Sequence, residues 1–348
     1  MDLKGSPFLR ACRGERPDRT PVWILRQAGR YLPQYRAVRS RFPDFLAFLR
    51  TPEAAAEVTC QPIEALGVDA AILFSDILTV LPPLGFDLAF REGEGPRISN
   101  PLRAGEGREL PHFDPTEEIP WVQDAVRACR KALPSDIPLI GFAGAPWTLA
   151  CYAIDGGGNR EFSKTRAWLH SDPASFSRVL DSLADVVTTH LEAQARAGCQ
   201  ALQLFESWGG LLSPSDYRRV VVPVLERIGH ALRLKLPDVP VILYCNGAST
   251  LLPVLSSLPF DVFAVDWRIG LAQARAELGK HPLQGNFDPT LLHAPEETIR
   301  QRVRDAARDT RGGAWIANLG HGIMPDAPVS GAKALVDAIH ALKPGEPA

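Results

Sequence analysis

The sequence lacks an uninterrupted apolar run of the roughly 20 residues that a membrane-spanning helix needs. Residues 1–19 are charged and are interrupted by Pro7 and Pro17, so they do not contain the apolar stretch of a secretory signal peptide. An excess of basic charge is also missing: the formal net charge is -2, which gives no general attraction to nucleic acid or to an anionic membrane. We therefore expect a cytoplasmic protein that binds neither nucleic acid nor membrane.

Cysteine is scarce and scattered. None of the six cysteines forms a Cys-x-x-Cys pair; they are Cys12, Cys60, Cys129, Cys151, Cys199 and Cys245. This pattern excludes a disulfide framework and a structural zinc knuckle, and it predicts reduced thiols, most of them small core residues. Hydrophobic residues make up 45% of the chain and charged residues 22%, which is typical of a globular enzyme.

Short apolar runs alternate with longer segments of helical period along the whole chain. The runs are residues 22–25, 70–73, 139–142, 201–205, 241–244, 262–265, 283–285 and 315–319. The helical segments are residues 52–66, 121–133, 174–197, 214–234, 271–278, 295–307 and 331–342. Eight strand–helix units predict an α/β fold of the (β/α)8 TIM-barrel type, forming a single domain over residues 1–348. An open doubly wound sheet remains the alternative, because the strand at 283–285 is weak.

Residues 81–120 are too long for an ordinary connection and predict an insertion after the second strand. Within it, residues 87–98 predict a hairpin around Gly93 and Gly95. The run 156–158 contains only glycine but has no strand-to-helix context with a following lysine, so we expect a mobile loop there and no phosphate loop. Residues 343–348 predict a frayed tail.

Six arginines and no acid lie between residues 19 and 43, in a chain that is otherwise slightly acidic. Because a guanidinium carries a permanent charge and a planar set of donors, this imbalance predicts a local site for carboxylate or phosphate. Arg26 and Arg30 directly follow the first strand, at the end of the barrel where active sites lie. Arg36, Arg39 and Arg41 are interpreted as a solvated basic face or as ion-pair partners.

Two longer motifs carry a family resemblance. Residues 21–36 read PVWILRQAGRYLPQYR, and residues 141–150 read GFAGAPWTLA with Tyr152 just beyond. Both resemble the signature segments of uroporphyrinogen decarboxylases. Further similar segments are FSDIL at 74–78, FESWGG at 205–210, QGNFDP at 284–289 and NLGHGI at 318–323, so the resemblance spans the chain. Departures are small and include Glu206, where the family usually has aspartate.

The resemblance implies removal of CO2 from the four acetate side chains of uroporphyrinogen III, which gives coproporphyrinogen III in haem biosynthesis. It implies that neither a cofactor nor a metal is needed, and that the protein is a homodimer with facing clefts. The electron pair left by CO2 needs a sink, and protonation of the neighbouring pyrrole carbon makes the substrate's own ring that sink. The resulting cation needs an anion nearby.

The resemblance also assigns roles to residues at the strand ends. Asp76 would accept hydrogen bonds from the pyrrole N–H groups and stabilise the cation; the alternative is that it caps a helix. Substrate-binding residues would be Arg26, Gln27, Ala28, Gly29 and Arg30, with the two arginines on substrate carboxylates. Arg26 is also counted among the catalytic residues, although a pKa above about 12 makes arginine a poor general acid.

Tyr152 and His321 are expected to hydrogen-bond the reacting acetates, and the unperturbed pKa of histidine suits a proton donor. The alternative for His321 is a structural role. Ser207 is interpreted as a carboxylate ligand or, equally, as a capping hydroxyl. Asp266, Asn286 and Asp288 are expected in supporting contacts or turns.

Two other functions fit parts of the sequence. Cobalamin-linked methyltransferases share the barrel and hold zinc through histidine and cysteine ligands at the ends of strands five and eight. Here those positions supply only Cys245 and His321, which are too few for a thiolate-rich site. A non-catalytic porphyrin carrier would keep the arginines and lose the reactive side chains, yet Asp76, Tyr152 and His321 are all present.

Overall fold

The structure is a computed structural model, which describes residues 3–91, 95–106, 110–157 and 160–342. Seven parallel strands form one sheet in the order β1-β4-β5-β6-β7-β8-β9. They are β1 (Ala71–Ile72), β4 (Leu139–Gly144), β5 (Ala201–Glu206), β6 (Val241–Cys245), β7 (Val262–Val265), β8 (Leu283–Gln284) and β9 (Trp315–Ile316). A separate antiparallel hairpin contains β2 (Leu88–Arg91) and β3 (Gly95–Ile98).

Helices follow the strands and cover the outside of the sheet. The longer ones are α4 (Pro52–Leu66), α6 (Pro120–Ala132), α7 (Pro146–Asp155), α8 (Ser163–Ser171), α9 (Pro173–Ala197), α11 (Val222–Lys235), α13 (Leu271–Leu278), α14 (Glu296–Asp309) and α15 (Val329–His340). The shorter ones are α1 (Pro7–Cys12), α2 (Pro33–Arg39), α3 (Phe45–Leu49), α5 (Pro115–Glu118), α10 (Pro214–Asp216) and α12 (Leu252–Leu255). Proline in the first turn of most of them fits helix entry, where the missing N–H costs nothing.

The segment around Val22 closes the sheet into a barrel. Val22 forms a parallel bridge with Ala317, and the Ala317 N–H donates to the carbonyl of Pro21 (2.9 Å). On the other side, the Asp69 N–H donates to the Val22 carbonyl (2.8 Å) just before β1. With the segment at Val22, which we call the first stave, the seven strands form a closed ring of eight strand positions. This confirms the predicted (β/α)8 barrel and excludes the open sheet.

The first stave is shorter than the strand predicted at residues 22–25. Beyond Trp23, whose N–H still donates to the Ala317 carbonyl (3.3 Å), side chains replace the neighbouring strand as acceptors for the backbone N–H groups. The Ile24 N–H donates to Gln27 Oε1 (3.0 Å), and the Leu25 N–H donates to Asn318 Oδ1 (2.8 Å). The backbone is therefore satisfied without a continuous ladder, and the chain can turn immediately after Leu25.

The helix predicted at residues 214–234 is divided into three pieces. Between α10 and α11 lies a π-helical turn, Tyr217–Val221. Pro223 lacks an N–H and cannot donate to the carbonyl four residues earlier, so a regular α-helix is interrupted here. The other predicted helices end within about two residues of the observed bounds.

The predicted hairpin in the insertion is confirmed by the pairing of β2 with β3, although residues 92–94, including Gly93, lie outside the described residues. The hairpin packs on the end of α7: the Ile98 N–H donates to the Gly156 carbonyl (2.9 Å), and a Cβ on Gly157 would collide with the Pro96 carbonyl. Gly156 and Gly157 thus contact the hairpin directly. Gly158 and residues 343–348 lie outside the described residues.

The inside of the barrel contains a polar chain as well as apolar side chains. The Trp23 indole Nε1–H donates to Gln284 Oε1 (3.0 Å), and Gln284 Nε2 donates to Gln203 Oε1 (3.0 Å). All three residues are fully buried, so these bonds link the first stave, β8 and β5 across the interior. Among the described residues, no helix combines the length and the apolar character that crossing a membrane would require.

Candidate active site

The turn after the first stave presents Arg26 at the barrel mouth, by which we mean the carboxyl ends of the parallel strands. Arg26 has a backbone φ of +61°, a conformation that residues other than glycine rarely adopt. Its aliphatic stem passes directly over Gly322, where any Cβ would collide with Arg26 Cδ. The Ile323 N–H donates to the Leu25 carbonyl (2.8 Å), which ties this turn to the loop after β9. The Gly-His-Gly sequence therefore makes room for Arg26.

Arg26 and Arg30 are both exposed, and neither guanidinium has a hydrogen-bond acceptor or carboxylate partner within residues 3–91, 95–106, 110–157 and 160–342. The other four arginines of the basic segment bind protein acceptors: Arg19 pairs with Asp69, Arg41 pairs with Glu57, and Arg36 and Arg39 donate to backbone carbonyls. The structure thus separates two available cations from four that have structural partners. This matches the distinction predicted from the sequence.

The residues between the two arginines are less available. Gln27 is fully buried: its Nε2 donates to the Ala70 carbonyl (3.1 Å), and its Oε1 accepts from the Ile24 N–H. Ala28 and Gly29 are half-buried, and a Cβ on Gly29 would lie 3.0 Å from the Arg26 carbonyl oxygen. A ligand at this turn therefore meets backbone atoms and the two arginine side chains, while the Gln27 side chain stabilises the barrel.

Asp76 lies after β1 in a partly buried position. One carboxylate oxygen, Oδ1, accepts the Leu78 N–H (2.8 Å), which is the capping bond anticipated as an alternative role. In the described part of the chain Oδ2 has no hydrogen-bond partner, so the carboxylate retains an acceptor. Burial raises the pKa of Asp76, and this shift is opposed by the Leu78 N–H and by the charge of Arg26.

Tyr152 on α7 completes one side of the mouth. Its ring packs edge-on against Phe162 (5.5 Å between centroids) and Trp208 (6.3 Å), and these two rings pack on each other at 4.8 Å. Burial raises the pKa of Tyr152, the Trp208 indole opposes that shift, and weaker contributions come from Asp76 and Arg26. The structure thus brings Tyr152, Asp76 and Arg26 within electrostatic reach of one another, and the phenol is a neutral hydrogen-bonding group.

His321 lies in the loop after β9, next to Gly322, against which Arg26 packs. Burial is the main cause that lowers the pKa of His321 to about 4, helped by the charges of Arg26 and Arg268 and opposed by Gly322 and Asp266. The imidazole is therefore neutral near pH 7 and carries one donor and one acceptor nitrogen. The ring also packs edge-on against Trp267 (6.3 Å, 88°).

Ser207 lies after β5 in a loop that is held by its backbone. Its N–H donates to Thr148 Oγ1 (2.8 Å), and its carbonyl accepts from Asn246 Nδ2 (3.1 Å). Thr148 in turn donates to Glu206 Oε1 (2.5 Å). The short helix that follows, Gly209–Leu211, has no side-chain cap, so the Ser207 hydroxyl is not used there.

Glu206 is a residue whose importance the sequence reasoning missed. It is fully buried, burial raises its pKa to about 8, and its Oε2 has no partner in the described residues. The available signal was its place at the last position of a buried strand, where an acid must be neutralised or paired. At neutral pH it is mostly a carboxylic acid, and it supports Ser207 through Thr148.

The three remaining polar residues lie in turns, as expected. Asp266 is buried and accepts the Gly247 N–H (2.5 Å) as well as two bonds from Arg268. Asn286 donates to the carbonyls of Asp266 and Ile269, and Asp288 caps the helical turn that starts at Pro289. Their polar groups hold the loops after β7 and β8 in place.

Within the described ranges, no group of three or more His, Cys, Asp and Glu side chains is placed to hold a metal ion. Cys245 is fully buried, and a Cβ on Gly209 would lie 2.8 Å from its Sγ. Burial, Glu206 and Asp266 all raise the pKa of the Cys245 thiol. This cysteine packs as a small apolar side chain and is a poor thiolate ligand where it lies.

A closed (β/α)8 barrel with two available guanidiniums, a partly buried carboxylate, a phenol and a neutral imidazole at its mouth defines a barrel enzyme that accepts an anionic ligand. The family model described as uroporphyrinogen decarboxylase (URO-D) matches residues 3–342. A protein of Trichlorobacter lovleyi named uroporphyrinogen decarboxylase is 46% identical over 338 residues, which is 96% of this chain and 98% of the relative. One of Alkalilimnicola ehrlichii with the same name is 44% identical and covers 98% and 95% of the two chains.

The chain therefore belongs to the uroporphyrinogen decarboxylase family, and the enzyme class predicted from its motifs, a carboxy-lyase, is confirmed. Among solved structures, a methyltransferase from Methanosarcina mazei is similar, with a TM-score of 0.84 and 21% identity over 97% of this chain and 98% of that one. At that identity the likeness shows the barrel fold alone. The family model and the curated relatives do not favour the methyltransferase alternative.

Proposed function

We propose that the protein removes CO2 from the four acetate side chains of uroporphyrinogen III to give coproporphyrinogen III, in haem biosynthesis and without a cofactor. The observation that carries this proposal is the carboxylate of Asp76 within electrostatic reach of Arg26, on a turn where Arg26 and Arg30 both lack a protein partner among the described residues. A substrate with peripheral carboxylates and inward N–H groups matches both features. The names of the curated relatives support the same substrate.

The chemistry needs no metal or redox group. A proton adds to the pyrrole carbon beside the acetate, and the ring becomes a cation. The bond to the carboxylate carbon then breaks, CO2 leaves, and the electron pair neutralises the ring. A second proton adds to the exocyclic carbon, and loss of the first proton from the ring restores the pyrrole with a methyl group in place of the acetate.

Asp76 stabilises the cationic step. The Leu78 N–H donates to Oδ1 and fixes the carboxylate. Oδ2 can then accept hydrogen bonds from the pyrrole N–H groups, which point inward in the substrate ring. A carboxylate that is partly desolvated interacts more strongly with a developing positive charge than one in water. The pKa of Asp76 is raised by burial, and perturbed pKa values of this kind are common among the ionisable groups of active sites.

The remaining site residues bind carboxylates. Arg26 and Arg30 anchor side chains of the substrate, and Gln27, Ala28 and Gly29 contribute through the backbone of the same turn. Tyr152 and His321 act as neutral hydrogen-bonding groups on the reacting acetate, and Ser207 offers its hydroxyl to another. Tyr152 lies on α7, and the other residues follow the first stave, β5 or β9 at the barrel mouth.

The test is to incubate the purified protein with uroporphyrinogen III under reducing conditions without added cofactor. We expect stepwise appearance of products with seven, six, five and four carboxylates, together with release of CO2. A protein that binds the substrate and leaves all its carboxylates intact would be a carrier, and the proposal would be wrong.

We also propose that the protein is a homodimer, is cytoplasmic, and forms one domain over residues 1–348 with an insertion at 81–120. Among the described residues, the exposed large apolar side chains are Leu234 (84%), Trp267 (38%) and Met324 (36%); the last two lie at the barrel mouth, which suits contact with a second copy there. Light scattering should give a mass near twice 38.0 kDa. A monomer at micromolar concentration would contradict the dimer.

A further inference from the structure

We propose that Arg268 is a third carboxylate anchor at the barrel mouth, which binds a peripheral carboxylate of the substrate between its guanidinium, Trp267 and His321. This inference rests on the proposed function and adds a specificity-determining residue to it. No motif identified in the sequence assigns a role to Arg268, and its contacts depend on how the loops after β6, β7 and β9 fold.

Arg268 is the third residue after β7, and its side chain is 49% exposed. Its Nε donates to Asp266 Oδ1 (2.9 Å), and its Nη2 donates to Asn246 Oδ1 (2.5 Å). In the described part of the chain Nη1 donates to no acceptor. These two bonds fix one edge of the guanidinium and leave Nη1 to donate to a ligand.

Although Arg268 pairs with the buried Asp266, its guanidinium can still bind a second anion. The two oxygens of Asp266 also accept the backbone N–H groups of Gly247 and Arg268, so its negative charge is spread over several donors. Asp266 is 1% exposed, whereas the Arg268 side chain is 49% exposed and its Nη1 has no acceptor among the described residues. A ligand carboxylate therefore approaches the guanidinium from the side away from Asp266.

Aromatic rings hold Arg268 in line with His321. The guanidinium carbon lies 5.2 Å from the centroid of the Trp267 ring, and that ring packs edge-on on His321 at 6.3 Å. Glycine at position 320 lets the loop after β9 approach the backbone at Trp267, because a Cβ there would lie 2.5 Å from the Trp267 backbone nitrogen. The three side chains form a fixed row along the mouth, which lowers the entropy lost on binding.

Arg26 lies at the far end of this row, with its stem over Gly322. His321 is therefore placed between two guanidiniums, and both of them lower the pKa of its imidazole. Apart from the buried Asp266, the contributions to this site from charged groups are positive. The space beside His321 is thus an anion site, and a substrate carboxylate is the anion that the reaction brings there.

The structural alternative is that Arg268 only ties the loops after β6 and β7 together through Asn246 and Asp266. Lysine separates the two roles, because R268K keeps the charge but cannot reproduce both guanidinium bonds. The variants are R268Q, R268K and a control, R300Q. Arg300 has the same exposure, 49%, and pairs with Glu296 on the outer helix α14. The measurements are KM and kcat with uroporphyrinogen III, and the thermal midpoint.

We expect R268Q to raise KM about tenfold, the effect of losing one charge-assisted hydrogen bond at a partly exposed site, with kcat within about twofold. R268K should restore KM to within about threefold of the unchanged protein, and R300Q should change neither constant. A KM that stays unchanged in R268Q would overturn the inference. So would R268K if its KM rises as far as that of R268Q, because the loop contacts would then be what matters.

If R268Q does not fold, R268K decides alone. A KM near that of the unchanged protein supports the anchor even if the thermal midpoint falls, and a KM raised about tenfold rejects it. The proposed function is tested separately by turnover of the unchanged protein. Absence of turnover there refutes the function, whereas normal turnover with an insensitive R268Q refutes only the role of Arg268.

Discussion

At the scale of single residues, Asp76 offers a replacement that changes charge and almost nothing else. D76N keeps an oxygen for the Leu78 N–H and loses the negative charge that stabilises the cationic ring. We expect kcat to fall about 100-fold or more, the size of effect seen when an electrostatic stabiliser is removed, with an unchanged thermal midpoint. Steady-state assays with uroporphyrinogen III measure this.

D288N is the matched control for Asp76, since Asp288 also follows a strand and accepts a backbone N–H two residues on. It should change kcat by less than about twofold. Near-normal turnover in D76N would show that the carboxylate is not needed for the reaction.

His321 is expected to stay neutral throughout the physiological range. Burial and the cations Arg26 and Arg268 disfavour the imidazolium, and Asp266 and Gly322 compensate only in part, so the pKa is lowered to about 4. The ring signal of His321 in NMR spectra should therefore titrate near pH 4, with H321Q used to assign it. A midpoint near 6.5 would contradict this and would restore a protonated donor at neutral pH.

The sequence predicted most of these side chains, because strand ends in a barrel converge whatever the details of packing. Arg26, Arg30, Asp76, Tyr152 and His321 follow from that rule together with the family motifs. The contacts Thr148–Glu206 and Arg268–Asn246 did not follow from it. They depend on how far neighbouring loops approach in space, which spacing along one chain does not encode.

At the scale of elements, the first stave depends on one buried carboxylate. Asp69 is 2% exposed; its oxygens accept from the Val22 N–H (2.8 Å) and pair with Arg19 and with His340 Nε2 (2.9 Å). It therefore joins the first stave to α15 at the end of the barrel opposite the mouth. Charged residues in such positions stabilise the fold and do not contact substrate.

We expect D69N to lower the free energy of unfolding by about 2–3 kcal/mol. Removing one partner of a buried pair costs about 3–5 kcal/mol, and Arg19 is half exposed and can return to water, which reduces the loss. Urea denaturation measures it. D337N, which breaks the exposed Lys333–Asp337 pair on α15, should cost less than about 0.5 kcal/mol. Equal losses in the two variants would show that Asp69 does not hold the stave.

The accuracy of the predicted helices and strands differs along the chain, for physical reasons. Residues 52–66 and 271–278 were predicted with their observed bounds because a helix carries its own hydrogen bonds and a clear apolar face. The first stave was overpredicted because Gln27 and Asn318 take over from a neighbouring strand. The division of residues 214–234 required recognising that Pro223 interrupts the hydrogen-bond series.

At the scale of the whole molecule, two buried groups give the stability opposite dependences on pH. Burial lowers the pKa of His190 on α9 to about 4 and raises that of Glu206 to about 8. Between pH 4 and 6.5, His190 is protonated in the unfolded chain and stays neutral in the folded one. The free energy of unfolding therefore falls as pH falls. Between pH 4.5 and 8 the folded chain keeps a proton on Glu206 that the unfolded chain releases, so stability falls as pH rises.

Single substitutions should separate these two contributions. Relative to the unchanged protein, H190Q should gain stability as pH falls from 6.5 to 4, by about 3 kcal/mol at about 1.4 kcal/mol per pH unit. E206Q should gain stability as pH rises from 6.5 to 8, by about 2 kcal/mol. Urea denaturation at several pH values gives both difference curves. Curves that are flat, or that slope the same way, would contradict the assignment of charge states.

The contact between the first stave and β9 brings together the parts of the site that are synthesised first and last. The Arg26 turn is held by Asn318 and Ile323, which are made after nearly all of the described chain. At roughly 5–20 residues per second, a ribosome delivers those anchors on the order of 15–60 s after the arginines. A nascent chain therefore carries its anion-binding arginines without a barrel mouth to hold them. Tetrapyrrole binding can begin only when the last stave has been synthesised and has docked against the first.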